Sequence, residues 1–488
     1  MFNINENVLI SPYSLLVSIV LLLGVFSIGN AFQNIVIKRK IFNSYNSNEI
    51  FFSPIIGAYI LLFFSYLIVI FQIYPTYFIK FLSYILFVLG IYELKNVYKF
   101  FKKINKINFK NYTLQFYLIL FIFFFLFIIS ASPISHADAI DYHFLGALNI
   151  LNLGHFHKEI LPMNNNLISI GELIISVGLA MKAEQFGGII QFSSLLALIP
   201  LFKKTKTDHL FLILILTCPI TFFLVSSPKP QLLHSISSLL IFVFLIRYSS
   251  KLHQLELKIV FPFIISILCL DSLSKYSFHL SSFLLVSYFF YIMCKKKLTI
   301  YSLTSIFIIF IILYLPFLNF RFVNFQTGFF ELLSSPLPIN IYGYQKHHDL
   351  LSGGSLSLIK ILLPTSLLAF STTYGPLLIF LFLMINKNIS KYKIPITIIF
   401  IFIVCVFMLG SNLPRFLFEG FLWLTYIVSI IVNTKTLIYR LFSKLIYLQI
   451  FIIFPIYLFY SFALFPGSLS QNLKTTIMKK NANGYELA

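Results

Sequence analysis

Negative charge is what this chain has least of. Fifteen Asp and Glu residues stand against 36 Lys and Arg in 488 positions, for a formal charge of +21. Charged residues of both signs make up only 10% of the sequence, where a soluble domain carries roughly a quarter; an ordinary water-soluble globule is excluded. Cysteine is scarce too. Cys218, Cys269, Cys294 and Cys405 lie in or beside apolar runs without metal-ligand spacing. They therefore read as buried free thiols, not as a zinc site or a disulfide framework. Short alternating strands are missing, which excludes a membrane β-barrel. No basic stretch precedes the first apolar run, residues 8–28, so no cleavable signal peptide is expected.

What is present is apolar. Hydrophobic residues reach 59%, with 60 Phe and 28 Tyr, and runs of about 18 residues or more recur from end to end, the mark of membrane-spanning helices. The aromatic richness reads mainly as lipid-facing packing. The fold class expected is all-α, a polytopic transmembrane helical protein of about 14 spans. The spans fall near 8–29, 52–73, 78–97, 114–131, 185–202, 208–225, 231–247, 259–275, 277–294, 300–318, 372–386, 394–411, 416–433 and 445–465. The basic clusters Lys38–Lys40, Lys95–Lys110, Lys203–Lys206, Arg247–Lys258, Lys295–Lys297, Lys387–Lys393 and Lys435–Lys444 then all fall on one side, which the positive-inside rule makes cytoplasmic. That distribution, in short loops between spans, also argues against nucleic acid as a partner. Both termini and the segment 132–184 are expected outside. The chain divides into additional N-terminal helices (1–113), a core (114–433) and a last span with a polar, flexible external tail (434–488).

Three external segments carry chemistry. The first is HADAIDYH, which packs His136, Asp138, Asp141 and His143 into eight residues of a chain poor in acids. A carboxyl at an apolar boundary has its pKa pushed upward, which suits a general base; the bland reading is a helix N-terminus capped by Asp138. Two Asp and two His would also serve as metal ligands, although their spacing is weak for it. Further along, ALNILNLGHF and LISIGELIISVGLAM read as short helices lying at the membrane surface, the latter carrying Glu172. The cations Lys229 in SSPKPQ, Lys275 in DSLSKYSFHL, Arg321 after LPFLNF and Arg415 in SNLPRFLFEG all fall near the same face. Half-buried cations there need an anionic partner, and a lipid phosphate supplies one; taken singly, each reads equally as a side chain snorkelling to headgroups. His347, His348 and Asp349 sit in a Pro- and Gly-rich loop and read as irregular.

The order of these motifs resembles the GT-C superfamily of integral membrane glycosyltransferases, especially the bacterial branch related to protein mannosyltransferases and aminoarabinose transferases. DAIDYH is similar to an Asp-x-x-x-Tyr-His motif in the first core loop, matching Asp138, Tyr142 and His143, with Asp141 as an extra acid. SSPKPQ looks like a Lys-Pro-Asp turn, with Gln231 where the acid would stand. LSKYSF, YGPLLIF and LPRFLF are similar to later helix starts of the family, and the resemblance covers residues 114–433. It implies an inverting transferase at the external membrane face of a bacterial plasma membrane, taking a sugar from a polyprenyl-phosphate donor to a lipid, glycan or protein acceptor of the cell envelope. Asp138 and Asp141 would be the catalytic carboxylates, with Asp138 as the general base. His136, Tyr142, His143, Glu172, Lys229, Lys275, Arg321 and Arg415 would bind substrate. No metal ligand is assigned, and a divalent metal is left as an option because members differ in using one. Two other classes remain open at this point: an O-antigen-type polymerase or ligase, and a lipid-linked oligosaccharide flippase.

Overall fold

The computed structural model describes residues 7–38, 52–104, 113–135, 139–156, 169–202, 206–248, 252–275, 277–325, 361–362, 373–385, 392–408 and 414–481. Among these the chain is helical, with no strand. Three N-terminal helices come first: α1 (Tyr13–Lys38), α2 (Ser53–Ile70) and α3 (Pro75–Ile104). They meet backbone to backbone. A Cβ at Gly24 of α1 would collide with the Leu86 carbonyl of α3, and one at Gly90 of α3 with the Val20 carbonyl of α1. Gly29 and Gly57 repeat this reciprocal fit between α1 and α2. Small residues permit such close approach, which is how helices associate in an apolar solvent.

Next come α4 (Leu114–Ser130), a π-helical turn (Ala139–Phe144), α5 (Leu145–Leu153), α6 (Glu172–Ala180), α7 (Phe186–Leu195), the short α8 (Leu198–Leu201), α9 (Lys206–Leu216) and α10 (Pro219–Val225). The second half contains α11 (Leu232–Arg247), α12 (Gln254–Ser274), α13 (Phe278–Lys295), α14 (Thr299–Ile309), α15 (Leu315–Phe325), α16 (Leu377–Leu383), α17 (Lys393–Met408), α18 (Phe418–Ile431), α19 (Leu437–Leu464), α20 (Pro466–Leu469) and α21 (Gln471–Asn481). Among the described residues, seven helices are long and apolar enough to cross a bilayer, or eight if the bent pair α9–α10 is one span. The protein is therefore an integral membrane protein of the helical class. Apolar helices shorter than 18 residues, such as Leu114–Ser130 and Leu232–Arg247, occupy other expected spans, so length alone does not reach the count of about 14.

The α9–α10 pair shows how broken helix is tolerated in such a core. The axis turns by 59° at Thr217–Cys218, where Pro219 supplies no N–H. The carbonyls this releases find donors on α19: Gln449 Nε2 reaches the Thr217 oxygen at 3.2 Å and Tyr457 Oη reaches the Leu216 oxygen at 2.7 Å. Without those donors the groups would stand unsatisfied in an apolar medium.

Three expectations need correction. The segment around Glu172 does not lie on the membrane surface. Its helix α6 is buried along its length, because α2, α3, α5 and α7 pack around it and leave no face for lipid. Arg321 does not follow a span; the helix continues through it to Phe325 and buries it. The polar stretch after Pro466 is not a free tail. It forms α20 and α21, and α21 docks by burying Met478 and a Lys474–Glu184 ion pair.

Candidate functional site

The site begins at the turn between α10 and α11. Pro228 and Pro230 flank Lys229, and each proline sits on a glycine. A Cβ at Gly187 would come within 2.8 Å of Pro228 Cβ, and one at Gly171 within 2.5 Å of Pro230 Cβ. The turn is thus clamped between α7 and the N-terminus of α6. Gln191 of α7 caps the other side, accepting from the Leu233 backbone N–H at 2.8 Å. Lys229 is held in this clamp, fully buried, with its ammonium 4.9 Å from the centre of the Phe223 ring.

The start of α6 is fastened to the end of α12, since Ile170 N–H donates to the Leu273 oxygen at 3.2 Å. This sets Glu172 beside Lys275, whose charge acts on it. Across from α6 the π-helical turn carries His143, and His143 Nδ1 lies 2.7 Å from Glu172 Oε1. Ser169 donates to the other carboxylate oxygen at 2.6 Å. Burial pushes the Glu172 carboxyl up to about 8. Burial, followed by the charges of Lys275, Lys229 and Arg415, pushes His143 well below its ordinary value. Near neutral pH the pair is therefore uncharged: a neutral imidazole facing a carboxylic acid.

Gln231 ties the cations together. Its side-chain oxygen accepts from Lys275 Nζ at 2.9 Å, and its amide donates to the Arg415 carbonyl at 3.3 Å. Two aromatic rings interleave. Phe223 lies under both Lys229 and Arg415, and Phe416 under both Lys275 and Arg415. Aromatic faces favour cations without neutralising them, so positive charge is concentrated here beside an uncharged pair.

Of the residues expected to form a site, His143, Glu172, Lys229, Lys275 and Arg415 come together. His136 and Asp138 lie outside the described residues. Asp141 and Tyr142 lie on the π-helical turn next to His143, and their side chains are likewise outside the described part. Arg321 is buried in α15, where Phe317 and Phe320 pack on Phe156. Among the described residues no three His, Cys, Asp or Glu side chains gather as ligands for a metal. The parts not foreseen are the connectors: Ser169, Gln231, the two phenylalanines and the glycine–proline clamp. Gln231 was visible as a departure from an acid; the others had no signal beyond an apolar or loop setting.

The class defined so far is an integral membrane protein that gathers a buried His–Glu pair and three cations at the ends of its helices. The chain belongs to the family described as the DUF1420 N-terminal domain, which matches residues 90–478. No curated protein and no solved structure matches it. The matched segment starts within α3 and contains every candidate site residue.

Proposed function

We propose that this protein is an inverting membrane glycosyltransferase, moving a sugar from a polyprenyl-phosphate donor to a cell-envelope acceptor at the external membrane face. One observation carries the proposal: Lys229, Lys275 and Arg415 converge around the buried His143–Glu172 pair. Such a cluster suits a phosphate, with Arg as a fork and Lys as point charges. In the transfer, a carboxylate takes the proton of the acceptor hydroxyl. The acceptor oxygen bonds to the anomeric carbon, and the bond from that carbon to the phosphate oxygen breaks. The electron pair leaves on polyprenyl phosphate, so negative charge grows where the three cations stand, which is where fixed charges lower a barrier most. Asp138 is the proposed base, Asp141 and His143 are the proposed acceptor-pocket residues, and His136 and Tyr142 are further substrate-binding candidates. His143, tied to Glu172, anchors the π-helical turn Ala139–Phe144 to α6. The proposed topology has about 14 spans, with the cluster on the external side.

The test is the mass of cell-envelope glycans in a deletion strain complemented with wild type or Asp138→Asn, at equal membrane abundance. The reading expects the variant to behave like the deletion and both to lack one defined sugar. Wild-type glycans from Asp138→Asn remove Asp138 from catalysis. Loss of long chains with single units intact replaces the transferase by a polymerase. Accumulation of the lipid-linked donor on the cytoplasmic face replaces it by a transporter.

A further inference from the structure

The C-terminal helix α21 carries no residue that the transfer uses, yet polar side chains tie it to the start of the candidate site. The tie runs through Glu184, in the turn between α6 and α7. Glu184 Oε1 accepts the Ile134 backbone N–H at 3.1 Å. Its other carboxylate oxygen accepts from Lys474 Nζ of α21. Its own backbone N–H donates to Ser14 Oγ of α1 at 2.9 Å. Glu184, Lys474 and Ser14 are all buried. The short helix α20 repeats the tie. Ser468 Oγ donates to the Ala131 carbonyl at 2.6 Å, and Gly467 packs on Pro133, where a Cβ would come within 3.0 Å of the ring. Ser11, before α1, fixes both helices in turn: its hydroxyl donates to the Gly467 carbonyl at 2.8 Å and its N–H to Gln471 Oε1 at 3.1 Å.

Asp138 stands four residues after Ile134 and five before His143. Glu184 holds the first of these positions and Glu172 the second. Glu172 begins α6 and Glu184 follows it, so one short buried helix sets the distance between the two anchors. A buried ion pair is weak evidence for stability alone, because apolar residues of like volume serve as well. A carboxylate engaged by a cation on one oxygen and a backbone N–H on the other is a strong, directional tie. A general base works only within hydrogen-bond reach of the proton it takes, and a misplacement of about 1 Å costs on the order of a hundredfold in rate. We propose that Glu184, held by Lys474, is a positioning residue for the transfer, and that α21 is the strap fixing the first anchor of the segment that carries Asp138. The inference rests on the reading of that segment as the source of the base.

The test compares two double variants of the full chain. Lys474→Met/Glu184→Met removes the ion pair and the acceptor of the Ile134 N–H. Lys474→Met/Glu184→Gln removes the ion pair and keeps an amide oxygen there. Three quantities are read: hydrogen exchange in peptides spanning residues 131–135, calorimetric affinity for methyl farnesyl phosphate (a short-chain diester standing in for the donor), and glycan masses after complementation at equal membrane abundance. The first variant should exchange faster, bind the diester as the wild type does, and transfer on the order of a hundredfold more slowly, read as loss of the sugar from the glycans. The second should match the wild type in all three. Unchanged exchange in the first variant overturns the tie, and faster exchange with wild-type glycans overturns the positioning role. Glycans of the deletion strain from the second variant assign the effect to the lost charges and overturn it too. If the first variant does not accumulate, Ile134→Pro takes its place, deleting the donor and leaving the ion pair; wild-type glycans from it overturn the inference. A deletion strain with wild-type glycans overturns the transferase reading instead, and the exchange result still decides whether Glu184 holds Ile134.

Discussion

Substituting Gly171 by alanine probes the clamp that fixes Lys229. The backbone there has φ −62° and ψ −29°, which alanine adopts without strain, so the effect is steric alone. The new methyl would stand 2.5 Å from Pro230 Cβ and 3.2 Å from the Ser274 carbonyl oxygen. Carbon atoms in contact need roughly 3.5–4.0 Å, so a gap of about 1 Å must open. The proline ring is rigid, and its retreat is blocked because Pro228 rests on Gly187 two residues away. The displacement therefore passes to Lys229 between them. Overpacking of this kind costs about 1–3 kcal/mol of stability, and a shift of about 1 Å at a reacting site costs on the order of a hundredfold in rate. Gly146→Ala is the control, since its methyl would meet only Glu172 Cγ at 3.4 Å, an ordinary contact. It should be neutral or stabilise α5 by about 0.4–1 kcal/mol. The assays are thermal unfolding in detergent and glycan masses after complementation at matched membrane abundance. Wild-type stability and wild-type glycans from Gly171→Ala would refute the claim that the clamp positions Lys229.

Other perturbations have defined outcomes. Lys275→Met and Arg415→Met should each weaken binding of methyl farnesyl phosphate tenfold or more, as expected for losing a charged hydrogen bond of about 1.5–3 kcal/mol; calorimetry checks this, and unchanged affinity in both removes the cluster as an anion site. The raised Glu172 carboxyl means that the folded protein holds a proton that the unfolded chain has lost between the ordinary value of 4.5 and about 8, so stability falls as pH rises through that window. His143, neutral when folded, acts with the opposite sign below its ordinary value of 6.5 and offsets the fall there. Between about 6.5 and 8 only Glu172 acts, for a loss of at most ~2 kcal/mol, and Glu172→Gln should flatten the unfolding profile over that range. Lys474→Met leaves Glu184 buried without its cation and should cost about 3–5 kcal/mol, most of it restored in Lys474→Met/Glu184→Gln; thermal unfolding of the two proteins distinguishes this from a surface pair.

The helical membrane class was legible because it follows from composition and run length, both local properties. The cations were legible for a related reason: Lys229, Lys275 and Arg415 each interrupt an apolar stretch at the end of a helix, where a charge needs a reason. Their convergence was not legible, since it depends on Gly171 and Gly187 admitting Pro230 and Pro228, and nothing along the chain says which proline meets which glycine. Glu172 looked like a surface residue because α6 is short and apolar all round. A buried helix has the same pattern, and only the surrounding helices decide between the two. Arg321 was misplaced because LPFLNF looks like the end of a span, whereas α15 runs on through the arginine.

The three N-terminal helices join the rest of the core through side chains that sequence alone leaves without a role. The family match begins at residue 90, yet Tyr59 of α2 donates to Asp271 and meets His234. Ser14 of α1 accepts from the Glu184 backbone and donates to Gln185. Ser83 of α3 donates to the Val177 carbonyl of α6, the helix that begins at Glu172. Contacts of this kind in a dry interior make α1–α3 part of the folded unit that carries the site. Tyr59→Phe isolates the point, because the ring and its packing stay while one donor leaves a buried carboxylate. Loss of that donor should cost about 1–3 kcal/mol, read by thermal unfolding in detergent. A Tyr59→Phe protein as stable as wild type would mean that α2 lies against the core without supporting it.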